Sequence, residues 1–352
     1  MIFTGDVAIA SGDSFSFHGF PNYILSNPWC INLEGAVSTV ENNYSKWAIY
    51  NSKSWFKSFE NFNLGPVFIG NNHISDISEG IKKTKLHLDE RGINCFGAGN
   101  NEEESNKPVK YSFGNFNYYL AGFGWPVIGC APSKGINAGV NQFEEERVIS
   151  QTKKIISEFN KINNNRIIIV IHGNYEFELY PQPGHRSLAK NLIDLGVHAV
   201  IFHHPHIVGP IESYKNRIIA YSLGNWAFSF GKYYGGILKF PESSFKQIAI
   251  EIGVNKNLVH HANFSPPNSI EYNYSEDVNA PNFSLKAPFE GLSDKDYTYW
   301  FKQNRIKRKG LPIYCSSKKT FINYIFDKWV FFRACFIKVL LKVGLKRNSF
   351  QK

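Results

Sequence analysis

The sequence predicts an α/β fold, in which strands and helices alternate along the chain. Short apolar runs rich in Val, Ile and Phe recur and are typical of buried strands. Amphipathic segments with helical spacing lie between several of these runs, and two of them are followed by glycine, a common helix stop. Polar side chains follow the apolar runs, and α/β folds bind ligands beyond the carboxyl ends of their strands. The same pattern therefore predicts the fold class and places the functional site at the carboxyl ends of the strands.

The predicted strands share one property, which is that each ends in polar residues. In chain order they are "MIFTGD" ending at Asp6, "WCINLEG" reaching Glu34, "PVFIGNNH" ending in Asn71, Asn72 and His73, "RIIIVIHGNYE" ending in His172 and Glu176, "GVHAVIFHHPH" ending in His203, His204 and His206, and "RIIAYSLGN" ending in Asn225. Helices are predicted over residues 78–91, 144–160 and 186–195, with Gly92 and Gly196 following the first and the third.

Composition excludes several classes of protein. Hydrophobic residues make up 43% of the 352-residue chain, which allows a large core and excludes global disorder. The five cysteines are widely spaced and form no Cys-x-x-Cys pair, which argues against a disulfide framework or a cysteine zinc site. The first residues lack a basic region followed by a long apolar core, so no signal peptide is expected. These features favour a cytoplasmic location, with peripheral attachment to the inner face of the membrane as a further expectation.

Charge and composition divide the chain into three predicted parts. Residues 302–352 contain 14 Lys or Arg and one acid, a net charge of +13, whereas the rest of the chain has a net charge of −3. Residues 254–301 are rich in Asn, Ser and Pro and are predicted to be a loop-rich extension. The predicted boundaries are therefore an α/β domain over 1–253, the extension over 254–301 and a basic amphipathic tail over 302–352.

The tail predicts a partner as well as a helix. It has no uninterrupted apolar stretch of about 20 residues, so a spanning helix is not expected. On a helical wheel Asp327, Lys328, Lys338, Lys342 and Lys346 share one side, and Arg333 is the exception. Residues 320–347 are interpreted as a helix that binds an anionic membrane surface. The alternative is a helix docked on the protein's own core, while nucleic acid is disfavoured because no known binding module accompanies the basic run.

The strand-end residues have the chemistry of metal ligands. Carboxylates, imidazoles and amide oxygens suit Mn²⁺, Zn²⁺, Fe or Mg²⁺ better than a metal that prefers thiolates. A carboxylate placed between two sets of histidines can bridge two cations about 3.5–4 Å apart. The residues assembled on this ground are Asp6, Asn32, Glu34, Asn72, His73, His172, Glu176, His203, His204 and His206.

Other polar residues near these ends have two interpretations each. His203 points away from His204 if the strand continues, so it either contacts substrate or supports a ligand. Asp76 is either catalytic or a cap for the helix that begins near residue 78. Asn225 either orients the substrate or belongs to a turn. Arg186 follows "PQPG" and is predicted to contact an anionic substrate.

Six motifs in order carry a resemblance to a known family. They are "GD" at 5–6, "NLEG" at 32–35, "GNNHISD" at 70–76, "HGNYE" at 172–176, "FHHPH" at 202–206 and "YSLGN" at 221–225. This order resembles the bacterial capsule synthesis protein CapA family, also called the poly-γ-glutamate biosynthesis family, which is similar to the calcineurin-like metallophosphoesterases. The resemblance covers residues 1–240 approximately, and residues 1–253 are interpreted as its domain.

The resemblance implies a fold and a set of roles. The implied fold is a four-layer αββα sandwich of metallophosphoesterase type, with two facing mixed sheets flanked by helices. The implied metal ligands of this chain are Asp6, Glu34 as the bridge, Asn72, His172, His204 and His206. His73 is the implied general acid, with Asp76 as a second catalytic candidate, and the remaining residues Asn32, His203, Glu176, Asn225 and Arg186 are expected to bind substrate. Two divalent cations are expected, as Mn, Zn, Fe or Mg.

The resemblance also implies an activity and exposes departures from the pattern. The expected function is a metal-dependent hydrolase of capsule, poly-γ-glutamate or exopolysaccharide metabolism, in which a metal-activated hydroxide attacks a phosphoester or an amide of an anionic substrate. Relatives have a histidine two residues after the first Asp, and this chain has Ala8, a gap that Glu176 could fill. Gly173 and Phe202 also depart from the pattern. The alternative is a non-catalytic capsule-assembly component with a degraded or structural metal site.

Overall fold

A computed structural model gives the fold of residues 1–38, 47–159, 164–236, 238–253, 256–305 and 310–342. In this described part, two large mixed sheets face each other. The strands, in chain order, are β1 (Ile2–Ala8), β2 (Ser16–His18), β3 (Pro28–Leu33), β4 (Ala36–Val37), β5 (Tyr50–Asn51), β6 (Asn63–Leu64), β7 (Val67–Phe68), β8 (Cys95–Phe96), β9 (Ala98–Gly99), β10 (Val109–Phe113), β11 (Phe116–Gly124), β12 (Gly139–Val140), β13 (Asn165–His172), β14 (Ala199–His203), β15 (Ile211–Tyr214), β16 (Arg217–Ala220), β17 (Asn225–Phe228), β18 (Lys246–Ile252), β19 (Asn257–Ser265) and β20 (Ser269–Asp277).

The α-helices confirm the three helices expected from the sequence and add others. They are α1 (Asn22–Leu25), α2 (Gly80–Asp89), α3 (Glu102–Asn106), α4 (Glu145–Phe159), α5 (Pro183–Leu195), α6 (Asp294–Asn304) and α7 (Phe321–Lys342). The three expected helices are α2, α4 and α5. Gly196 follows α5 with φ of +114°, a conformation that glycine adopts without strain.

The larger sheet places the first two site-bearing strands side by side. Its order is β2-β20-β19-β18-β1-β3-β7-β8, with β17 also paired to β1 and β6 to β3. β1 runs parallel to both β3 and β17, and Asp6 lies in register with Asn32 and Asn225. Gly5 allows the close approach of β1 to the segment before β17, because a Cβ at this position would collide with the carbonyl of Gly224.

The smaller sheet places the histidine-bearing strands side by side. Its order is β10-β11-β13-β14-β16-β15, with β11, β13, β14 and β16 parallel. β13 alternates its side chains between two buried faces, which explains its unbroken apolar sequence. Ile169 faces the helices and Ile168 faces the other sheet. His172 ends β13 in register with His203 at the end of β14.

Three apolar interfaces join the layers in the order helix, sheet, sheet, helix. Between the sheets, Phe3 of β1 and Ile250 of β18 share one core cluster with Val170 of β13 and Ile201 of β14. Helices α4, α5 and α6 cover the outer face of the smaller sheet, and α1 and α2 cover the outer face of the larger one. The expected four-layer αββα sandwich with two facing mixed sheets is confirmed.

The prediction of a loop-rich extension over 254–301 is wrong. β19 and β20 in this region continue the larger sheet beyond β18, and α6 packs on the smaller sheet. A boundary at residue 253 would separate β18 from its antiparallel partner β19. The sixth expected strand also differs, since β16 ends at Ala220 and Asn225 begins β17 in the other sheet.

Helix α7 forms within the predicted amphipathic tail. Phe326 and Val330 pack at the edge of the core, while Phe332 and Phe336 are exposed. Within the described residues, none of the helices combines the length and the apolar character needed to cross a membrane. The side chains of Lys338 and Lys342 and all of 343–352, on which the predicted basic side depends, lie outside the described part of the chain.

His185 of α5 gives a test of the packing between α5 and the smaller sheet. Its ring is buried against the edges of Trp125 and Phe143 and stacks on Phe202. Burial lowers the pKa of His185 to about 3. In the unfolded chain the same group titrates near pH 6.5, so stability is lost as the pH falls from about 6.5 toward 3.

We predict that His185→Phe removes this part of the pH dependence. Between pH 7.5 and pH 5 the free energy of unfolding should fall by about 2 kcal/mol less than in the unsubstituted protein. Urea unfolding at the two pH values measures the difference, with His18→Gln on the exposed strand β2 as the control. An unchanged pH dependence in His185→Phe would show that the buried imidazole is not the cause.

Candidate metal centre

The centre lies where the carboxyl ends of β1 and β3 in one sheet meet those of β13 and β14 in the other. Asp6 lies within β1, and Glu34 immediately follows β3. His172 ends β13, and His204 and His206 follow β14. All five side chains are buried, with at most 4% of each residue exposed. The structure thus brings together residues that are up to 200 positions apart in the chain.

Two clusters of possible ligand atoms share Glu34. One cluster consists of Glu34, His172 and His204, and the other of Asp6, Glu34 and His206. Within each cluster, the ligand atoms lie within 4.8 Å of one another. Oε1 of Glu34 is 3.7 Å from Nε2 of His206 and 4.0 Å from Nε2 of His172. This is the arrangement in which one carboxylate bridges two cations.

Asn72 adds an oxygen to the His172 side of the centre. Its Oδ1 lies 2.8 Å from Nε2 of His172. Two ligands that hold one cation at about 2.1 Å and at right angles are about 3 Å apart, so this spacing fits two ligands of one ion. The position of Asn72 is compatible with the amide ligand expected from the sequence.

His204 and His206 occupy unusual backbone conformations. Their φ angles are +96° and +57°, in the region that favours glycine. The left-handed turns point the rings of both residues toward the same interior, with ring centroids 5.6 Å apart. Residues held in such conformations cluster at functional sites. The loop after β14 is shaped to present imidazoles there.

The pKa values of Glu34 and His206 are both raised in the centre. Burial, reinforced by Asp6, raises the pKa of Glu34 well above its usual range. Burial opposes the charged form of His206, but Glu34 and Asp6 outweigh it and raise the pKa to about 10. Both shifts favour the protonated forms of Glu34 and His206, and metal binding commonly displaces protons from its ligands.

The residues fit divalent cations on three further observations. Among the described residues, both carboxylate oxygens of Glu34 and Nδ1 of His204 are buried without a hydrogen-bond partner, which is costly unless an ion supplies one. Burial lowers the pKa of His172 and of His204 well below the usual range, so both imidazoles are neutral and offer lone pairs. Carboxylate, imidazole and amide donors suit Mn, Zn, Fe or Mg.

Three residues expected to bind substrate lie behind the ligands instead. Nδ2 of Asn32 donates to Oδ1 of Asp6 at 2.7 Å, and Nδ1 of His203 lies 3.0 Å from the same oxygen. Oδ1 of Asn225 lies 2.9 Å from Nδ1 of His206. All three are buried, so they orient Asp6 and His206 rather than face a substrate. The hydrogen bonds and charges of His203 and His206 overcome the burial of Asp6 and hold its pKa well below the usual range.

The prediction that Arg186 contacts substrate is also corrected. Its guanidinium is buried beneath α6 and forms a paired contact with Glu212, at 3.0 Å from Nε and 2.6 Å from an Nη. The carbonyl of Leu292 accepts a further hydrogen bond from Arg186. A buried arginine held in this way joins α5 to the sheet and the following loop, and its burial keeps it away from a ligand in solution.

His73 and Asp76 form a pair at the edge of the centre. Nδ1 of His73 lies 2.7 Å from Oδ2 of Asp76, and Nε2 of His73 lies 3.8 Å from Oε1 of Glu34. The same oxygen of Asp76 accepts a hydrogen bond from the backbone nitrogen of Ile49. Asp76 thus fixes the His73 ring and does not reach the ligands itself, so it is a positioning residue and not the catalytic one expected.

A cavity of about 640 Å³ opens beside the centre and is roofed by α7. Asn72, His73, His204 and Glu176 line it on the side of the centre, and Arg333 of α7 lines the roof. Glu176 is exposed and belongs to neither metal cluster, so it does not fill the gap left at Ala8. The cavity position of Glu176 is compatible with the substrate contact expected from the sequence.

Two contributors to the site were not found from the sequence. Asn71 is buried, accepts hydrogen bonds from the backbone nitrogens of Gly35 and His73, and donates to the carbonyl of Leu33. It therefore ties the loop that carries Glu34 to the loop that carries His73. Arg333, which lines the cavity, is the second of these residues. Its position apart from the other charged residues on the helical wheel could have indicated a separate role.

The comparisons with known proteins show the family of this chain. The sequence matches the family described as bacterial capsule synthesis protein PGA_cap over residues 25–229, which is more than half of the chain. The chain belongs to this family. The matched region begins after Asp6 and includes Glu34, Asn72, His73, His172, His204 and His206.

Among curated proteins, the chain is similar to two members of the family. It is 27% identical over 164 residues to the capsule biosynthesis protein CapA of Bacillus anthracis, covering 46% of this chain and 40% of that protein. It is 28% identical over 208 residues to the PGA biosynthesis protein CapA of Bacillus subtilis (strain 168), covering 57% and 53%. The chain thus spans about half the length of these relatives.

A solved structure of a hypothetical protein from Thermus thermophilus aligns with 78% of this chain and 98% of that chain. The TM-score is 0.40 and the identity 12%, a likeness too low to bear on fold or function.

We predict that the two clusters lose metal separately. His204→Ala should leave Asp6, Glu34 and His206 able to hold one cation, and His206→Ala should leave the Glu34, His172 and His204 cluster. After loading with Mn²⁺ and removal of free metal, elemental analysis should give about half the metal content in each variant. Glu34→Gln should lower both affinities because it belongs to both clusters.

The control is His261→Ala, which removes a buried histidine from β19, outside the centre. It should retain the metal content of the unsubstituted protein. A folded protein that binds no divalent cation, or variants that keep full stoichiometry, would contradict the assignment.

Proposed function

We propose that this chain is a metal-dependent hydrolase that acts on a phosphoester or an amide of an anionic substrate in capsule, poly-γ-glutamate or exopolysaccharide metabolism. The observation that carries the proposal is the sharing of Glu34 by two buried clusters of ligand atoms. Membership of the capsule synthesis family supports the biological setting. The chain spans about half of its curated relatives, so their substrates come to it only as a proposal.

Asp6, Glu34, Asn72, His172, His204 and His206 are proposed as the metal ligands. When bound, two divalent cations supply Lewis acidity and lower the pKa of water. The protein contributes a dry, shaped enclosure, because the ligands are buried and are held from behind by Asn32, His203 and Asn225. Such positioning stabilises developing charge without reorganisation during the reaction.

His73 is proposed as the proton donor to the leaving group. Nε2 of His73 is directed toward Glu34 at 3.8 Å, and the ring borders the cavity. Asp76 holds Nδ1 of the same ring at 2.7 Å, which fixes the orientation of the ring and favours a proton on Nδ1. A protonated His73 can then release the Nε2 proton to an oxygen or nitrogen that leaves from the cavity side.

Arg333 and Glu176 are proposed to contact the substrate at the cavity wall. Among the described residues, no carboxylate lies within ion-pair distance of Arg333, so its guanidinium is available to an anion. Glu176 is exposed at the same cavity and can accept hydrogen bonds from hydroxyl or amide groups. An anionic polymer or a phosphoester satisfies both residues.

One observation favours the second candidate, a non-catalytic capsule-assembly component. Ala8 stands where relatives carry a further histidine, and it is buried beside Phe228 in the pairing of β1 with β17. The Asp6 cluster therefore has one donor fewer than the resemblance implies. A metal that only stabilises the fold would satisfy the same buried atoms, and turnover distinguishes the two candidates.

We predict that His73→Asn lowers kcat for an alkyl phosphodiester such as glycerophosphocholine, whose alkoxide leaving group needs a proton, or for a γ-glutamyl anilide if the amide is the substrate, by about 10²–10⁴-fold. The loss follows from removal of the proton donor, and the metal content should not change because the implied ligands remain. Asp76→Asn should lower kcat less and alter the pH profile, since it leaves the imidazole in place. Steady-state kinetics with elemental analysis measure both effects.

Two outcomes would oppose the hydrolase. Full metal content without turnover of either substrate would favour the assembly role. Equal turnover by His73→Asn and the unsubstituted protein would remove His73 from the mechanism but leave the metal centre standing.

A further inference from the structure

Side chains of helix α7 attach the helix to the rest of the protein. Phe326 and Val330 pack against the core beneath the outer helices, and Phe326 lies edge-on to Tyr314 at 5.6 Å. Oδ1 of Asp327 accepts a hydrogen bond from the Tyr314 hydroxyl at 2.8 Å. The position of the helix over the cavity is therefore fixed by side-chain contacts.

The neighbouring surface of α7 carries a stripe of exposed apolar side chains, one of which, Trp329, also donates a hydrogen bond to the carbonyl of Gly310. Its members recur at spacings of three and four, the period of one helix face. They are Ile322, Ile325, Trp329, Phe332, Phe336 and Val339, and each is 48–64% exposed. A contiguous apolar surface of this kind marks an interaction site.

The positive charge around this stripe favours binding to an anionic surface. Residues 302–352 carry a net charge of +13, and Lys318, Lys319 and Lys328 are exposed on or next to α7. A second copy of the chain would bring an equal positive charge against the first, so self-association through this helix is electrostatically opposed. Aromatic and aliphatic side chains beside lysines are the composition of helices that lie in the interface of an anionic bilayer.

The cavity beneath the helix joins this surface to the metal centre. Val330, Ala334 and Ile337 of α7 form an apolar wall, and Asn72 and His204 lie at the opposite end. A ligand that fills the cavity would place a polar head near the metal ligands and an apolar part along α7. Both halves match a molecule that resides in a membrane.

We propose that α7 binds an anionic lipid bilayer through its exposed apolar stripe and holds the mouth of the metal-centre cavity at the lipid surface, where the cavity receives an amphiphilic substrate with an anionic head and a long apolar chain. The identity of the substrate rests on the proposed hydrolase function, whereas the binding of α7 to lipid does not.

Cosedimentation of the full chain with vesicles tests the bilayer contact. The protein should bind vesicles of phosphatidylcholine and phosphatidylglycerol more tightly than vesicles of phosphatidylcholine alone, and salt should weaken the binding. The double variant Phe332→Asp/Phe336→Asp should bind at least about tenfold more weakly, because two exposed apolar side chains no longer enter the interface. Neither residue lines the cavity.

The matched control is the double variant Leu86→Asp/Ile136→Asp, which introduces the same two charges at apolar side chains outside α7 that are 60% and 92% exposed. It should leave the binding unchanged. Equal vesicle binding by the α7 double variant would overturn the proposal. The unsubstituted protein could instead be a dimer and the α7 double variant a monomer, with equal vesicle binding by both. That result would overturn the proposal and show that a second copy of the chain covers the stripe.

The substrate class is tested with hexadecyl p-nitrophenyl phosphate, an amphiphilic diester, against water-soluble bis(p-nitrophenyl) phosphate. The unsubstituted protein should turn over the hexadecyl ester faster in anionic vesicles than in neutral ones, and the α7 double variant should lose this difference but keep turnover of the soluble ester. Vesicle binding without turnover of either ester would reject the phosphoester substrate while sustaining the bilayer contact. If the turnover of the hexadecyl ester does not depend on the vesicles, the proposal that the cavity receives an amphiphilic substrate from the bilayer is wrong.

Discussion

The structure depends on one buried carboxylate that has no partner of its own. Glu34 lies fully buried, and both of its oxygens lack hydrogen bonds among the described residues. A buried unpaired carboxylate is strongly unfavourable, so its surroundings must provide positive charge. His172 and His206 approach it from the other sheet and from the loop after β14. Cations bound at this position would supply that charge and would be held by residues from both sheets.

The scaffold around Glu34 is organised to hold its neighbours in place. Parallel pairing brings Asp6 and Asn32 into register in the larger sheet, and His172 and His203 into register in the smaller one. Asn71 then ties the loop of Glu34 to that of His73. Ligand geometry is thus set by backbone pairing and by amide hydrogen bonds, which are rigid, rather than by long flexible side chains. The proton transfer and the substrate contacts are left to the cavity side, where His73 and Arg333 lie.

The sequence predicted which residues converge because buried parallel strands are easily recognised and their carboxyl ends meet at one edge. It did not predict which face the side chains of Asn32 and Asn225 take, so both were assigned to substrate although they support ligands. For His203 the sequence left open the choice between contacting substrate and supporting a ligand. Arg186 was misassigned because its partner Glu212 is distant in sequence and only the fold brings the two together. β20 was missed because its exposed, polar residues resemble a loop in composition.

The most direct test of the account is anomalous diffraction from crystals of the full chain soaked in Mn²⁺. Two peaks should appear, about 3.5–4 Å apart, with Glu34 coordinating both, Asp6 and His206 on one and His172 and His204 on the other. One peak, or peaks away from Glu34, would contradict the shared carboxylate on which the proposed chemistry depends.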